Sequence, residues 1–126
     1  MFKFIRSLLL LSVFVAGQTL AADTPFDAAN FEALEKAGKP VLVAIHADWC
    51  PTCRAQKPIL SELLKTPELQ GITALRVDFD NQKDAVRSFK ATMQSTLIVF
   101  KGGSEVGRSV GDTNKDSIAA LLKKAI

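Results

Sequence analysis

Val41-Leu42-Val43-Ala44-Ile45 is an unbroken apolar run that includes two β-branched valines. A strand with one wet face alternates apolar and polar residues, whereas a strand that is apolar throughout has both faces covered. The run therefore reads as a buried strand in the middle of a sheet. A sheet covered on both faces needs helices above and below it.

The flanking sequence supplies them. Asp27 can cap a helix that turns Phe31 and Leu34 inward and stops at Gly38, ahead of Lys39-Pro40. After the strand, a second helix carries Ile59, Leu60, Leu63 and Leu64 on one side and ends near Thr66-Pro67. Pro58 falls inside this helix, where its missing N–H and its ring should bend the axis. Residues 72–79 alternate as a strand, and residues 82–90 suggest a short helix. Residues 96–101 and 106–110 read as a hairpin joined by Gly102-Gly103-Ser104-Glu105. Thr113-Asn114-Lys115-Asp116 has the spacing of a capping box and opens a last helix with Ile118, Leu121 and Leu122 inward. The order α β α β α β β α predicts an α/β fold, with parallel crossovers first and an antiparallel hairpin last. Its core is a central mixed β-sheet flanked by helices on both faces.

The first residues are of another kind. Lys3 and Arg6 form a basic head, Leu8 to Ala16 an apolar middle, and Gly17 to Ala22 an exit before the first acid, Asp23. This is the layout of a secretory signal peptide, and the apolar run is shorter than the about 20 residues of a membrane span. Cleavage is expected after Ala22, with Ala21 the alternative site and an uncleaved anchor the alternative fate. The chain thus divides into residues 1–22, a signal peptide, and residues 23–126, a single domain. The mature protein is expected outside the cytoplasm, in a bacterial periplasm or otherwise secreted. No cysteine lies near the cleavage site to take a lipid. Loss of Lys3 and Arg6 lowers the formal net charge by two, from +3 to +1, so the charge balance points to neither nucleic acid nor an anionic membrane.

The chain's only histidine, its only tryptophan and both cysteines fall between Ile45 and Cys53. As a staple, a Cys50–Cys53 bridge closes a tiny loop, for which chain entropy gives roughly 2 kcal/mol against about 4.7 for a loop of 100 residues. As a zinc site, two thiolates and His46 fall short of the usual four ligands. The third reading is a reaction centre. Cys50 follows a strand-exit loop and starts a helix, where unpaired N–H groups and the helix dipole favour a thiolate, the nucleophile of disulfide exchange. Pro51 suits the first helical turn because it has no N–H to leave unpaired. Cys53, one turn on, returns to the same side and can attack a mixed disulfide held on Cys50. This spacing makes Cys50 the attacking thiol and Cys53 the resolving thiol.

At Asp48-Trp49-Cys50-Pro51-Thr52-Cys53 the sequence closely resembles the thioredoxin family. The resemblance extends to Pro58, to Asp78-Phe79-Asp80, to Thr96-Leu97-Ile98-Val99-Phe100 with Lys101-Gly102-Gly103, and to Gly107 and Gly111, so it covers residues 26–126. It implies a thioredoxin fold and thiol-disulfide oxidoreductase chemistry with protein thiols and disulfides. The redox-active Cys50–Cys53 pair serves in place of any added cofactor. The family's first strand has only Thr24-Pro25-Phe26 to draw on.

Three positions depart from the family pattern. The buried aspartate that assists proton transfer at the resolving cysteine is Ala44 here, so that relay is missing. The aromatic position four residues before the attacking cysteine is His46, whose imidazole can transfer protons or tune the thiolate; the alternative is a histidine hydrogen-bonded to backbone. The cis-proline before the last long strand is Ser95. A non-proline cis bond costs about 2.5 to 4 kcal/mol, so the Gln94-Ser95 bond is expected to be trans. Arg76 stands near where relatives carry a lysine beside the relay, and with Ala44 its partner is open. Asp48 reads as a solvated loop charge, the alternative being a charge that raises the thiol slightly by repulsion.

The chain is therefore read as an extracytoplasmic thiol-disulfide oxidoreductase. Cys50 and Cys53 are its catalytic residues, His46 a proton-transfer or tuning residue, and Trp49, Gln94, Ser95 and Thr96 its substrate-binding residues. Family potentials run from about −270 to about −120 mV, so the direction is left open, with reduction preferred. A membrane thiol carrier is the expected electron donor or acceptor, and the protein is expected to be a monomer. Two alternatives stand beside this reading. Without a proline facing the sulfurs, the CxxC pair could capture a metal, two chains together supplying four thiolates. The fold could also serve as a redox-inert binding module that uses the Ser95 loop.

Overall fold

A computed structural model describes residues 23–126, and the signal-peptide expectation for residues 1–22 lies outside them. The apolar run is β2 (Val41–His46), the middle strand of five. On one side it pairs in parallel with β3 (Thr73–Asp78), which in turn pairs in parallel with a two-residue edge strand, β1 (Thr24–Pro25). On the other side it runs antiparallel to β4 (Thr96–Lys101), which forms a hairpin with β5 (Ser104–Val110). The expected mixed sheet is found, with the strand order β1-β3-β2-β4-β5.

Both faces are covered, which explains the lack of alternation. Leu42 of β2 packs with Leu97 and Val99 of β4 beneath α2 (Pro51–Leu63) and α4 (Lys115–Lys123). Val41, Val43 and Ile45 point the other way, toward α1 (Ala28–Lys36) and α3 (Lys83–Ser88). On that second face Phe89 lies edge-on to Phe26, Phe31 and Phe100, with ring centroids 5.2 to 5.9 Å apart. Such tilted contacts suit the aromatic quadrupole and add to the area they bury. No helix among the described residues is long and apolar enough to cross a membrane.

The helix starts follow capping chemistry. Asp27 accepts the N–H of Asn30 at 2.9 Å, as expected. The last helix is capped by Asn114, whose side chain accepts the N–H of Ser117 at 2.9 Å, and not by Thr113. Adjacent polar residues offered two starting points one residue apart, and Ile118, Leu121 and Leu122 face inward as expected. Pro58 lies within α2, which continues to Leu63 and ends slightly before the expected Thr66.

The hairpin differs from expectation in its turn. Gly102 and Gly103 both have positive φ, +59° and +81°, and these two residues alone connect the strands, so β5 begins at Ser104 and not at Val106. Two consecutive left-handed residues match the twist of the flanking strands, which makes this two-residue connection favourable. Further along β5, a Cβ on Gly107 would lie 2.9 Å from Leu121 Cδ1, so glycine lets α4 approach the sheet there.

Candidate active site

At its end nearest the site, β2 carries His46 and is followed by the loop Ala47-Asp48-Trp49, which delivers Cys50 to the start of α2. Cys50 is the N-cap residue and Pro51 the first residue of the helix. The Cys50 sulfur accepts the backbone N–H of Cys53 at 3.1 Å, so it does what a serine or aspartate side chain does at other helix starts. A helix N-terminus of this kind suits a negative charge. Both cysteines are free thiols and both are buried, in a small cluster with Ala47 and the edge of Phe79.

Their surroundings set the two sulfurs apart. Burial pushes the Cys53 thiol up to about 11 from an ordinary 9.0, and the Cys50 side chain adds to the rise, while the backbone N–H groups of Ala47 and Ser95 oppose it. Cys53 therefore holds its proton at neutral pH. Losing it is a step that needs help.

Among the described residues, the His46 imidazole is bonded to a side chain and not to backbone. Its Nε2 lies 3.1 Å from Asp48 Oδ1, and the Asp48 side chain is fully solvated. His46 faces the same side of β2 as Ala44, and both border a cleft of about 100 Å³ that reaches Cys53. Lys57 and Arg76 stand on its rim and Gln56 forms part of its wall. The cleft exists because Ala44 is too small to fill the space under α2, which also leaves Ala44 partly exposed between fully buried neighbours. Arg76 finds its partner in Asp23, at 2.9 Å.

Trp49 is 56% exposed and stands beside the sulfurs, where its Nε1 donates to Asp80 at 2.7 Å. Asp78, at the end of β3, is held below the usual carboxylate range, chiefly by the Asn81 side chain. Facing the helix start is the loop that leads into β4. Gln94 is half-buried, whereas Ser95 and Thr96 are buried and their hydroxyls donate locally, to Gln94 O at 2.6 Å and Met93 O at 2.7 Å. The Gln94-Ser95 bond is trans, and Ser95 takes the left-handed conformation with φ +59°.

The structure thus brings Cys50, Cys53 and His46 together, with Trp49 flanking the sulfurs and the Gln94–Thr96 loop facing them. One buried contributor escaped the sequence reading. Gln56, on the inward face of α2, donates to Ser95 O at 3.2 Å and to Asp112 O at 2.9 Å. Its signal in the sequence is a polar residue in register with Cys53, Leu60 and Leu63 on the apolar stripe. Among the described residues no group of three or more His, Cys, Asp and Glu side chains converges as a metal cage, so chelation at the CxxC pair would need donors from a second molecule.

A mixed sheet that presents a paired thiol at a helix start defines a class of disulfide-exchange proteins. The family model for thioredoxin matches residues 23–124, and the chain belongs to the thioredoxin family as a thiol-disulfide oxidoreductase. It is 39% identical over 84 residues to a thioredoxin of Chlamydia trachomatis serovar D, an alignment that covers 67% of this chain and 80% of that protein. It is also similar to the crystal structure of Trxlp from Edwardsiella tarda EIB202, with a TM-score of 0.78 and 38% identity over 79% of this chain and 97% of that one. The thioredoxin of Malassezia sympodialis shares the fold at a TM-score of 0.72 and 20% identity, over 82% of this chain and 91% of that one.

Proposed function

We propose that the chain exchanges dithiol for disulfide with protein substrates through a mixed disulfide on Cys50 that Cys53 resolves. The observation that supports this reading is the Cys53 N–H directed at the Cys50 sulfur from 3.1 Å, a geometry that suits an attacker and a resolver sharing one helical turn. In the reducing direction, the Cys50 thiolate attacks one sulfur of a substrate disulfide. A bond forms between Cys50 and that sulfur, and the other substrate sulfur leaves as a thiolate that takes up a proton. Cys53 then gives up its proton and attacks the Cys50 sulfur. The Cys50–Cys53 disulfide forms, the substrate's second sulfur is released, and two electrons have passed to the substrate. The oxidising direction is the reverse; reduction is preferred.

His46, bordering the same cleft as Cys53, takes up the Cys53 proton in place of the carboxylate that Ala44 lacks. Trp49 and the backbone of Gln94, Ser95 and Thr96 receive the substrate strand. The two sulfurs suffice as redox group, without an added cofactor. The basic and apolar layout of residues 1–22 supports export, which sets the exchange outside the cytoplasm, with a membrane thiol carrier as electron partner and the protein acting as a monomer.

The direct experiment is reduction of insulin by dithiothreitol with and without the protein. A large acceleration is expected, abolished by Cys50→Ser, while Cys53→Ser accumulates a covalent complex with substrate. No acceleration by the intact protein would sink the reading. N-terminal sequencing of the exported form tests the compartment: a chain starting at Asp23 is expected, and retention of Met1 in a cytoplasmic fraction would contradict it.

A further inference from the structure

Only three polar side chains are buried among the described residues, Gln56, Ser95 and Thr96, and they lie side by side. Ser95 is 5% exposed and holds a left-handed backbone that side chains other than those of glycine, asparagine and aspartate seldom adopt. It has no ring to stiffen it. Hydrogen bonds therefore have to hold it in place: Ser95 N donates to Ile45 O at 2.8 Å, and Gly111 N donates to Ser95 O at 3.0 Å.

A carbonyl has two lone pairs, and Gln56 takes the second. Its amide nitrogen has two hydrogens, directed to Ser95 O and to Asp112 O. One side chain thus fastens three pieces of chain together: the loop before β4, the corner after β5, and the helix that carries the cysteines. Gln56 lies three residues after Cys53, on the same face of α2. The position of the loop is thereby referred to the position of the sulfurs.

We propose that Gln56 is a positioning residue for substrate binding: its amide sets the Gln94-Ser95 backbone at the distance from Cys50 that a docked disulfide strand requires. This rests on the exchange reading above, with the Ser95 loop as the substrate's backbone partner. A side chain that merely filled space could be apolar. A buried amide with both hydrogens committed to backbone carbonyls specifies where those carbonyls sit.

The test uses the full-length protein, insulin as substrate, and two variants. Gln56→Met keeps length and volume without a donor. It is expected to raise KM about three- to tenfold, the size of effect of one hydrogen bond, and to leave kcat within about twofold. The rate of Cys50 alkylation by iodoacetamide should not change, because the sulfurs themselves are untouched. Gln56→Glu supplies a donor only while its carboxyl is protonated, so its KM should approach the wild-type value in acid and rise as the proton is lost, with unchanged circular dichroism. That internal comparison decides the matter even if the methionine variant does not fold. A KM independent of pH in Gln56→Glu, or a fall in kcat in proportion to the folded fraction with KM unmoved, overturns the proposal. A wild-type protein inactive on insulin removes the exchange reading and this inference together, whereas an active wild type with unchanged KM in both variants removes this inference alone.

Discussion

The sulfur of Cys50 accepts the backbone N–H of Cys53 across 3.1 Å, so the attacking atom caps the helix that carries its own resolver. Two thiols three residues apart are thereby made chemically unlike. Burial pushes Cys53 up to about 11, so about one Cys53 in 10³ is ionised at pH 8. Brief treatment of the reduced protein with iodoacetamide at that pH is expected to give one adduct, on Cys50, in peptide mass spectra. Equal labelling of both cysteines would contradict the asymmetry.

The same burial makes stability depend on pH at the alkaline end. The Cys53 thiol titrates at about 11 in the folded chain against 9.0 ordinarily. Its proton is held more tightly in the folded state, so this contribution is intact below 9.0 and is lost as the pH rises to about 11. Urea titrations of the reduced protein should show stability falling across that window, and Cys53→Ala should flatten the fall. A variant with the same slope as wild type would remove the link.

At the acid end the signs oppose one another. Asp78 is lowered by its bonds to Asn81, and Glu105 by its bond to Arg108, so both stabilise above the usual carboxylate range and lose that effect as pH falls through their folded values. Glu35 is raised by burial, so its contribution is present in acid and declines as pH rises. Asp78→Ala should therefore flatten the acid limb and Glu35→Ala steepen it, read as urea midpoints between pH 2 and pH 6. Identical slopes in Asp78→Ala and wild type would refute the assignment.

If His46 takes the proton of Cys53, His46→Phe should slow release of substrate from the Cys50 mixed disulfide by about 10²-fold, the scale of a lost general base. The first attack, followed as Cys50 alkylation at fixed pH, should hardly change. Asp48→Ala should stay within about threefold of wild type, because the carboxylate beside His46 is in water and screened. Quenched-flow trapping of the mixed disulfide separates the two steps, and equal resolution rates in His46→Phe and wild type would retire the role.

Trp49 gives a readout of its own, being the only tryptophan. Its indole N–H is held by Asp80 at 2.7 Å although the ring is 56% exposed. Asp80→Ala is expected to lower the fluorescence anisotropy of Trp49 and to raise KM for a protein disulfide by about two- to threefold, since fixing a docking side chain in advance lowers the cost of binding. Unchanged anisotropy would mean that packing alone holds the ring.

Much of this arrangement is legible in the residues. An apolar run without alternation demanded two covered faces, and β2 has them. The order of helix-period and strand-like segments demanded crossovers and then a hairpin, and these are found. What the sequence conceals is short or depends on distant backbone. Thr24–Pro25 is too brief to show a periodicity and becomes a strand only by pairing with Leu75 and Arg76. Ser104 and Glu105 look like turn residues because they are polar, yet they extend β5, whose exposed edge tolerates polar side chains. The partner of Arg76 was open in the sequence because Asp23, 53 residues away, reaches it only through β1 pairing. Gln56 passed unnoticed although it is a polar residue on an apolar stripe, because its partners are carbonyls 39 and 56 residues away, and a carbonyl has no letter in the sequence.

The ion pair between Asp23 and Arg76 also bears on how the protein is handled. Both residues stand on the rim of the cleft that reaches Cys53, so an affinity tag or fusion partner joined just ahead of Asp23 would be tethered over the rear of the reaction centre. Ile126, by contrast, accepts a hydrogen bond from Lys101 at the end of β4 opposite Thr96 and the sulfurs. A surface anchor, fluorophore or purification tag attached at Ile126 leaves the thiols free, and that end of the sheet is the place to hold this protein.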